Sequence, residues 1–155
     1  MKGNKKIIER LNVLLADELT AINQYIVHSE MCENWGYKKL SGVIKKRAIE
    51  EMKHAEKLIE RILFLEGTPE VGALNKISIG NDIEKQFKSD AAAEVEAVQM
   101  YNGGIKLCAE LGDNGTRDLL QTILVEEEKH LDWLETQVEQ IKQLELKNYL
   151  VEQTD

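Results

Sequence analysis

Two glutamate–histidine pairs carry the chemistry that this sequence can do: Glu51 with His54, and Glu127 with His130. At a separation of three residues, both members of a pair fall on one face of a helix, one turn apart. Each pair follows another glutamate by 33 residues, Glu51 after Glu18 and Glu127 after Glu94. An offset of 76 residues carries Glu18, Glu51 and His54 onto Glu94, Glu127 and His130, and carries Tyr25 onto Tyr101. The two halves therefore read as copies of one helix pair docked about a pseudo-twofold axis. Four carboxylates and two imidazoles form an oxygen-rich donor set that suits iron or manganese. Zinc in structural sites prefers closed tetrahedral nitrogen and sulfur sets.

The elements that must position these groups are helices. Pro69 is the only proline, so the rest of the chain is free to be helical. Asn4 can cap a first helix running to about Asn34, ahead of Trp35-Gly36. A second runs from about Tyr37 to Glu66 and stops at Gly67-Thr68-Pro69. Residues Val71 to Asn81 lack helical rhythm and read as a long connection. A third helix runs from about Asp82 to Leu111, ending at Gly112-Asp113-Asn114-Gly115. The fourth runs from near Thr116 to about Leu144, and a short fifth covers Leu146 to Val151. Four segments of about 28 residues are each roughly 42 Å long at the α-helical rise. Two short turns and one long middle connection predict an all-α four-helix bundle whose second and third helices run parallel, filling residues 1–155 as one domain.

Within that bundle the inward seams should be apolar. The first seam reads Leu11, Leu14, Glu18, Ile22, Tyr25, and the second Leu40, Ile44, Arg47, Glu51, His54, Leu58, Leu65. The third reads Ile83, Phe87, Asp90, Glu94, Ala97, Tyr101, and the fourth Leu120, Ile123, Glu127, His130, Leu134, Ile141. Every seam thus holds a glutamate. A bare carboxylate in an apolar interior costs several kcal/mol, and four converging ones repel strongly. Such a set persists when cations sit among it.

Composition narrows the setting. A formal charge of −8 argues against a nucleic-acid partner. The two cysteines, Cys32 and Cys108, form no CxxC motif, and no run approaches the roughly 18 apolar residues of a membrane span. A soluble, cytoplasmic protein with free thiols is expected.

With these residues identified, the sequence resembles the bacterioferritin family over almost its whole length. The likeness rests on Glu18-Leu19 with Ala21-Ile22-Asn23-Gln24-Tyr25, Asn34-Trp35-Gly36, Glu51-Met52-Lys53-His54-Ala55, Arg61-Ile62-Leu63-Phe64-Leu65-Glu66-Gly67, Asp132-Trp133-Leu134-Glu135 and Asn148-Tyr149-Leu150. The resemblance implies a ferritin-like fold with its long crossover between helices two and three, and a hollow 24-subunit shell for iron storage. It implies a di-iron ferroxidase centre whose ligands are Glu18, Glu51, His54, Glu94, Glu127 and His130, with Glu51 and Glu127 as bridges. Such a centre takes up two Fe(II), holds them roughly 3.5–4 Å apart, and passes their electrons to dioxygen or peroxide. Tyr25, one seam step beyond the ligands, is placed to supply an electron or a hydrogen bond. The resemblance also implies haem b held by Met52 from two subunits across a twofold axis, and an electron donor for iron release.

The chain departs from the family at Lys45-Lys46-Arg47, where a histidine at 46 and an acidic residue at 47 are frequent, and at Glu50, where aspartate is frequent. In the family this stretch faces the cavity and can hold an extra iron. Three cations there put that inner site in doubt. They also keep open a structural or haem-carrying subunit of a mixed shell, with two subunit types. A rubrerythrin-like peroxide-reducing enzyme is a further alternative, although no paired CxxC motif supplies its usual electron relay.

Overall fold

A computed structural model describes residues 1–155 as five helices with no strand. The helices are α1 (Lys5–Asn34), α2 (Lys38–Phe64), α3 (Ile83–Glu110), α4 (Asn114–Leu144) and α5 (Leu146–Val151). Side-chain caps fix three of the starts. Asn4 accepts a hydrogen bond from the Lys6 backbone N–H at 2.9 Å, and Asp82 one from Lys85 at 2.8 Å. Asp113 accepts one from Thr116 at 2.9 Å, which starts α4 two residues earlier than the sequence suggested.

The 76-residue repeat extends into the turns. Gly36 (φ 85°) ends α1 and its mate Gly112 (φ 72°) ends α3, each in the left-handed region that favours glycine. At both turns the next residue's N–H reaches back to a cysteine carbonyl at 2.9 Å: Tyr37 to Cys32, and Asp113 to Cys108. Helices α1 and α2 therefore pair antiparallel, as do α3 and α4.

The connection from Leu65 to Asp82 runs the length of α1, which brings α3 in parallel to α2. A ladder on α1 holds it. Asn12, Thr20, Gln24 and His28 accept hydrogen bonds from the backbone N–H groups of Glu70, Asn75, Ser78 and Gly80 at 2.8–3.0 Å. These four residues lie at multiples of four along the helix, so one face satisfies an otherwise unpaired loop backbone. Gly80 is needed where it stands, because a Cβ there would lie 2.2 Å from the Gln86 nitrogen.

The apolar core is divided in two. One cluster centres on Ile7, Leu11, Leu14, Leu58, Ile62 and Leu120, and the other on Tyr25, Leu40, Ile44, Phe87, Leu134 and Tyr149. Each fully buried Leu or Ile contributes about 1.5–3 kcal/mol relative to exposure. These flanking clusters stabilise the bundle enough to tolerate a charged layer between them. Helix α5 docks onto the second cluster through Tyr149, whose ring meets Phe87 edge-on at 6.3 Å and whose hydroxyl donates to Gln137 at 2.7 Å.

Candidate metal centre

The charged layer consists of the six residues that the spacing singled out. Glu18, Glu51, His54, Glu94, Glu127 and His130 are all buried, none more than 5% exposed. They form two overlapping groups, Glu18–Glu51–His54–Glu127 and Glu51–Glu94–Glu127–His130. Within each group, one donor atom from every residue lies within 4.8 Å of the others. Glu51 and Glu127 belong to both groups, the disposition that bridging between two ions requires. The imidazoles of His54 and His130 stack with centroids 6.2 Å apart.

The donor atoms are oriented for a cation. Glu18 Oε2, Glu51 Oε1, Glu94 Oε2, Glu127 Oε2 and His130 Nδ1 are buried and have no hydrogen-bond partner. Five orphaned polar atoms spread over two overlapping donor groups is an arrangement that folded proteins avoid unless a ligand satisfies it. His54 Nδ1 lies 3.0 Å from Glu127 Oε1, and His130 Nδ1 lies 3.0 Å from Glu51 Oε1. Both Nδ1 atoms thus face the centre. Oxygen donors with two imidazoles fit iron or manganese.

The outward nitrogens are held by two glutamates. His54 Nε2 lies 2.5 Å from Glu126 Oε2, and His130 Nε2 lies 2.7 Å from Glu50 Oε2. A carboxylate on the far nitrogen fixes ring orientation and raises the basicity of the inner one. Sequence reasoning put Glu50 only in the cavity-facing stretch and gave Glu126 no role, although the repeat carried the signal: an offset of 76 takes Glu50 onto Glu126.

The tyrosines obey the same symmetry. The Tyr25 hydroxyl donates to Glu94 Oε1, and the Tyr101 hydroxyl donates to Glu18 Oε1 at 2.5 Å. Each half of the molecule thus supplies the phenol that holds the other half's glutamate. Burial, followed by the neighbouring glutamate charge, pushes both phenols well above their ordinary range, so both remain donors.

Protonation divides along the same line. Burial and the charge of Glu51 push Glu18 well above the carboxylate range. Burial also lifts Glu94 to about 7, against its hydrogen bond with His130. In Glu51 burial is outweighed by the close approach of Glu18 and both histidines, which holds it at about 2. Glu127 is likewise held low, by both histidines, against burial and the charge of Glu51. Burial disfavours charge on the imidazoles as well. Hydrogen bonds with Glu127, followed by the other site glutamates, override it, raising His54 strongly and His130 to about 11. The shared carboxylates are thus shifted toward the charged form, and the outer ones and the histidines toward the protonated form.

A narrow passage of about 60 Å³ reaches the carboxylates from beneath the crossover, past Asp17, Gln24, Asn75 and Glu96. Burial, with the charges of Glu127 and Glu51, raises Asp17 to about 7. Beside it lies a second polar cluster, built around the seam residue Asp90. His28 Nδ1 donates to Asp90 Oδ1 at 2.9 Å, and Gln24 donates to the same oxygen at 2.8 Å. The cluster anchors the crossover, because His28 Nε2 accepts from Gly80.

The remaining sequence expectations fall elsewhere. Met52 lies on the outer surface of α2, 45% exposed, one turn from the equally exposed Ile49. The basic run does not act as one patch. Lys45 and Lys46 are exposed, but Arg47 is in the seam, only 9% exposed, with its guanidinium 5.6 Å from the Trp133 ring centroid. Arg47 therefore lies where the seam spacing put it, beside the indole, and only Lys45 and Lys46 of the run are exposed. Cys32 and Cys108 are buried free thiols, and no helix is long and apolar enough to cross a membrane.

A family profile described as a ferritin-like domain matches residues 8–144. The bacterioferritin of Mycolicibacterium paratuberculosis is 40% identical over 149 residues, which cover 96% of this chain and 94% of that protein. That of Rhodobacter capsulatus is 43% identical over 138 residues, covering 89% and 86%. That of Brucella melitensis is 38% identical over 149 residues, covering 96% and 92%. The chain belongs to the bacterioferritin family of ferritin-like proteins.

Proposed function

We propose that the protein is a ferroxidase subunit of an iron-storage shell, with Glu18, Glu51, His54, Glu94, Glu127 and His130 as the ligands of its two iron positions. The observation that carries this reading is the pair of overlapping donor groups sharing Glu51 and Glu127, with five of their buried atoms unpartnered. Iron is the substrate: two Fe(II) give one electron each to dioxygen, two protons are taken up, and two Fe(III) and one hydrogen peroxide result. Peroxide can replace dioxygen as the two-electron acceptor.

The chain's own groups prepare the site. Glu51 and Glu127 offer charge to both positions, and Glu18 and Glu94 each serve one. Tyr101 and Tyr25 hold those outer carboxylates by hydrogen bonds. Glu126 and Glu50 keep the imidazoles turned with Nδ1 inward. The protons of Glu18, Glu94 and the histidines leave as Fe(II) arrives, and Asp17 lies on the passage toward the crossover. The complete donor set favours an active subunit over a purely structural member of a mixed shell.

Haem is a separate question. Met52 offers an exposed thioether beside Ile49, a surface that fits half of a two-methionine haem site completed by a second copy. In that reading Met52 would hold the haem through its thioether sulfur, and the bound haem would supply one-electron transfer.

The test is native mass measured together with iron loading. A particle of 24 chains that oxidises Fe(II) and retains ferric mineral supports the reading. A small oligomer that turns over peroxide without retaining iron overturns it in favour of a peroxide-reducing enzyme.

A further inference from the structure

A cleft of about 510 Å³ lies between α2 and α4, on the far side of the two histidines from the carboxylates. Its cations are Arg47, Lys53, Lys57 and Lys129, and its anions are Glu50 and Glu126. Both anions are already engaged. Glu50 accepts from His130 and Glu126 from His54. Four cations thus line the cleft beside two carboxylates that also hold the histidines, Glu50 Oε2 being shared with Arg47 in an ion pair at 3.6 Å. The pseudo-twofold runs through the cleft, since the 76-residue offset takes Lys53 onto Lys129.

Arg47 shows that a partner is missing. It is only 9% exposed, yet its Nε has no hydrogen-bond acceptor. The closest carboxylate oxygen, Glu50 Oε2, lies 3.6 Å away, beyond hydrogen-bonding distance. A buried, charged donor without an acceptor is costly, and the guanidinium fork matches the oxygens of a tetrahedral oxyanion. Trp133 is the only apolar residue of the cleft, and Arg47 already covers its ring. Apart from that ring the cleft is lined by charged side chains and His130.

We propose that this cleft binds inorganic phosphate, with Arg47 as its anchor and Lys53, Lys57 and Lys129 closing around it. The site stands without the ferroxidase reading, since Arg47 and the three lysines are distinct from the six proposed iron ligands, of which only His130 reaches the cleft wall. One consequence does rest on that reading. Phosphate held directly outside the imidazoles meets Fe(III) leaving the centre, and supplies the counter-ion with which ferric iron precipitates.

The test is equilibrium dialysis of labelled inorganic phosphate against the intact, metal-free protein at low ionic strength. One saturable site per chain is expected, with half-saturation below 1 mM as an order-of-magnitude estimate for a multiply charge-assisted site. The double variant K53Q/K129Q changes exposed positions and should weaken binding about tenfold with the fold intact. Arg47→Lys keeps the charge but loses the fork, and should weaken binding several-fold. Sulfate should compete, whereas chloride at equal ionic strength should not. The proposal is overturned by absence of a saturable site, by unchanged binding in K53Q/K129Q, or by a phosphate monoester such as glucose 1-phosphate binding as tightly as inorganic phosphate. Loss of Fe(II) oxidation in the parent protein would overturn the ferroxidase reading and leave this result unaffected.

Discussion

Glu126 Oε2 accepts a hydrogen bond from His54 Nε2 at 2.5 Å, and this contact decides which imidazole nitrogen faces the buried carboxylates. The Glu50–His130 contact at 2.7 Å does the same in the other half. Replacing Glu126 by Gln removes the charge that fixes the ring while keeping its shape. Metal affinity at one position should fall roughly 10- to 100-fold, the usual effect of losing such an outer partner. Calorimetric titration with Co(II) should then show two unequal sites, and Glu50→Gln should weaken the opposite one. Unaltered titrations for both variants would contradict the arrangement.

The tyrosine pair gives a symmetry test. Tyr25→Phe leaves an oxygen of Glu94 without its donor, and Tyr101→Phe does the same to Glu18. Each change should destabilise the protein by about 1–3 kcal/mol, the cost of leaving a buried polar atom unpaired. Because the two contacts are equivalent, Fe(II) oxidation should slow by similar, modest factors. A tenfold loss confined to Tyr25→Phe, measured by stopped flow, would assign Tyr25 electron transfer rather than positioning.

The pH dependence has a definite sign. Glu94 is raised from 4.5 to about 7 and Asp17 from 3.8 to about 7. A raised folded-state value gives stability that is complete below the unfolded value and lost as pH rises through the folded one. His130 acts in the same sense at higher pH, its contribution complete below 6.5 and lost progressively as pH rises toward 11. Glu51, held at about 2, contributes fully above 4.5 and loses its contribution only as pH falls toward 2. Metal-free protein should therefore lose thermal stability between about pH 4.5 and 7. Co(II) affinity should rise over the same window as protons cease to compete. Calorimetric scans at pH 5 and 7.5, with and without Co(II), check both trends.

Most of the fold was legible because its signals are local and repeated. Leucine and isoleucine at three- and four-residue spacing define the seams, and Gly36, Pro69 and Gly112 mark the breaks. The six buried donors were legible because a carboxylate in an apolar seam is expensive, and because the repeat made each one predict another. Other features depend on distance rather than pattern. Glu50 and Glu126 look like ordinary surface charges until the histidine rings are placed beside them. The spacing puts Arg47 in the seam, but its partner Trp133, 86 positions later, shows only once the helices are packed. The α1 ladder under the crossover was missed because its donors are backbone N–H groups, which carry no residue signature.

Met52 gives a simple spectroscopic prediction. Met52→Leu conserves volume on an exposed surface and removes its thioether. The Soret band of the purified protein should disappear, with assembly and early iron oxidation unchanged. A Soret band at full intensity would move the haem elsewhere.

The central claim is that Glu51 and Glu127 serve two iron positions at once. It is tested most directly by stopped-flow oxidation of Fe(II) in air by the parent protein, Glu51→Ala and Glu127→Ala. The parent should show a fast phase that saturates at two Fe(II) per chain, and each variant should lose that phase while remaining folded and helical. A parent fast phase that saturates at one Fe(II), or variants that retain near-normal fast oxidation, would contradict a shared centre.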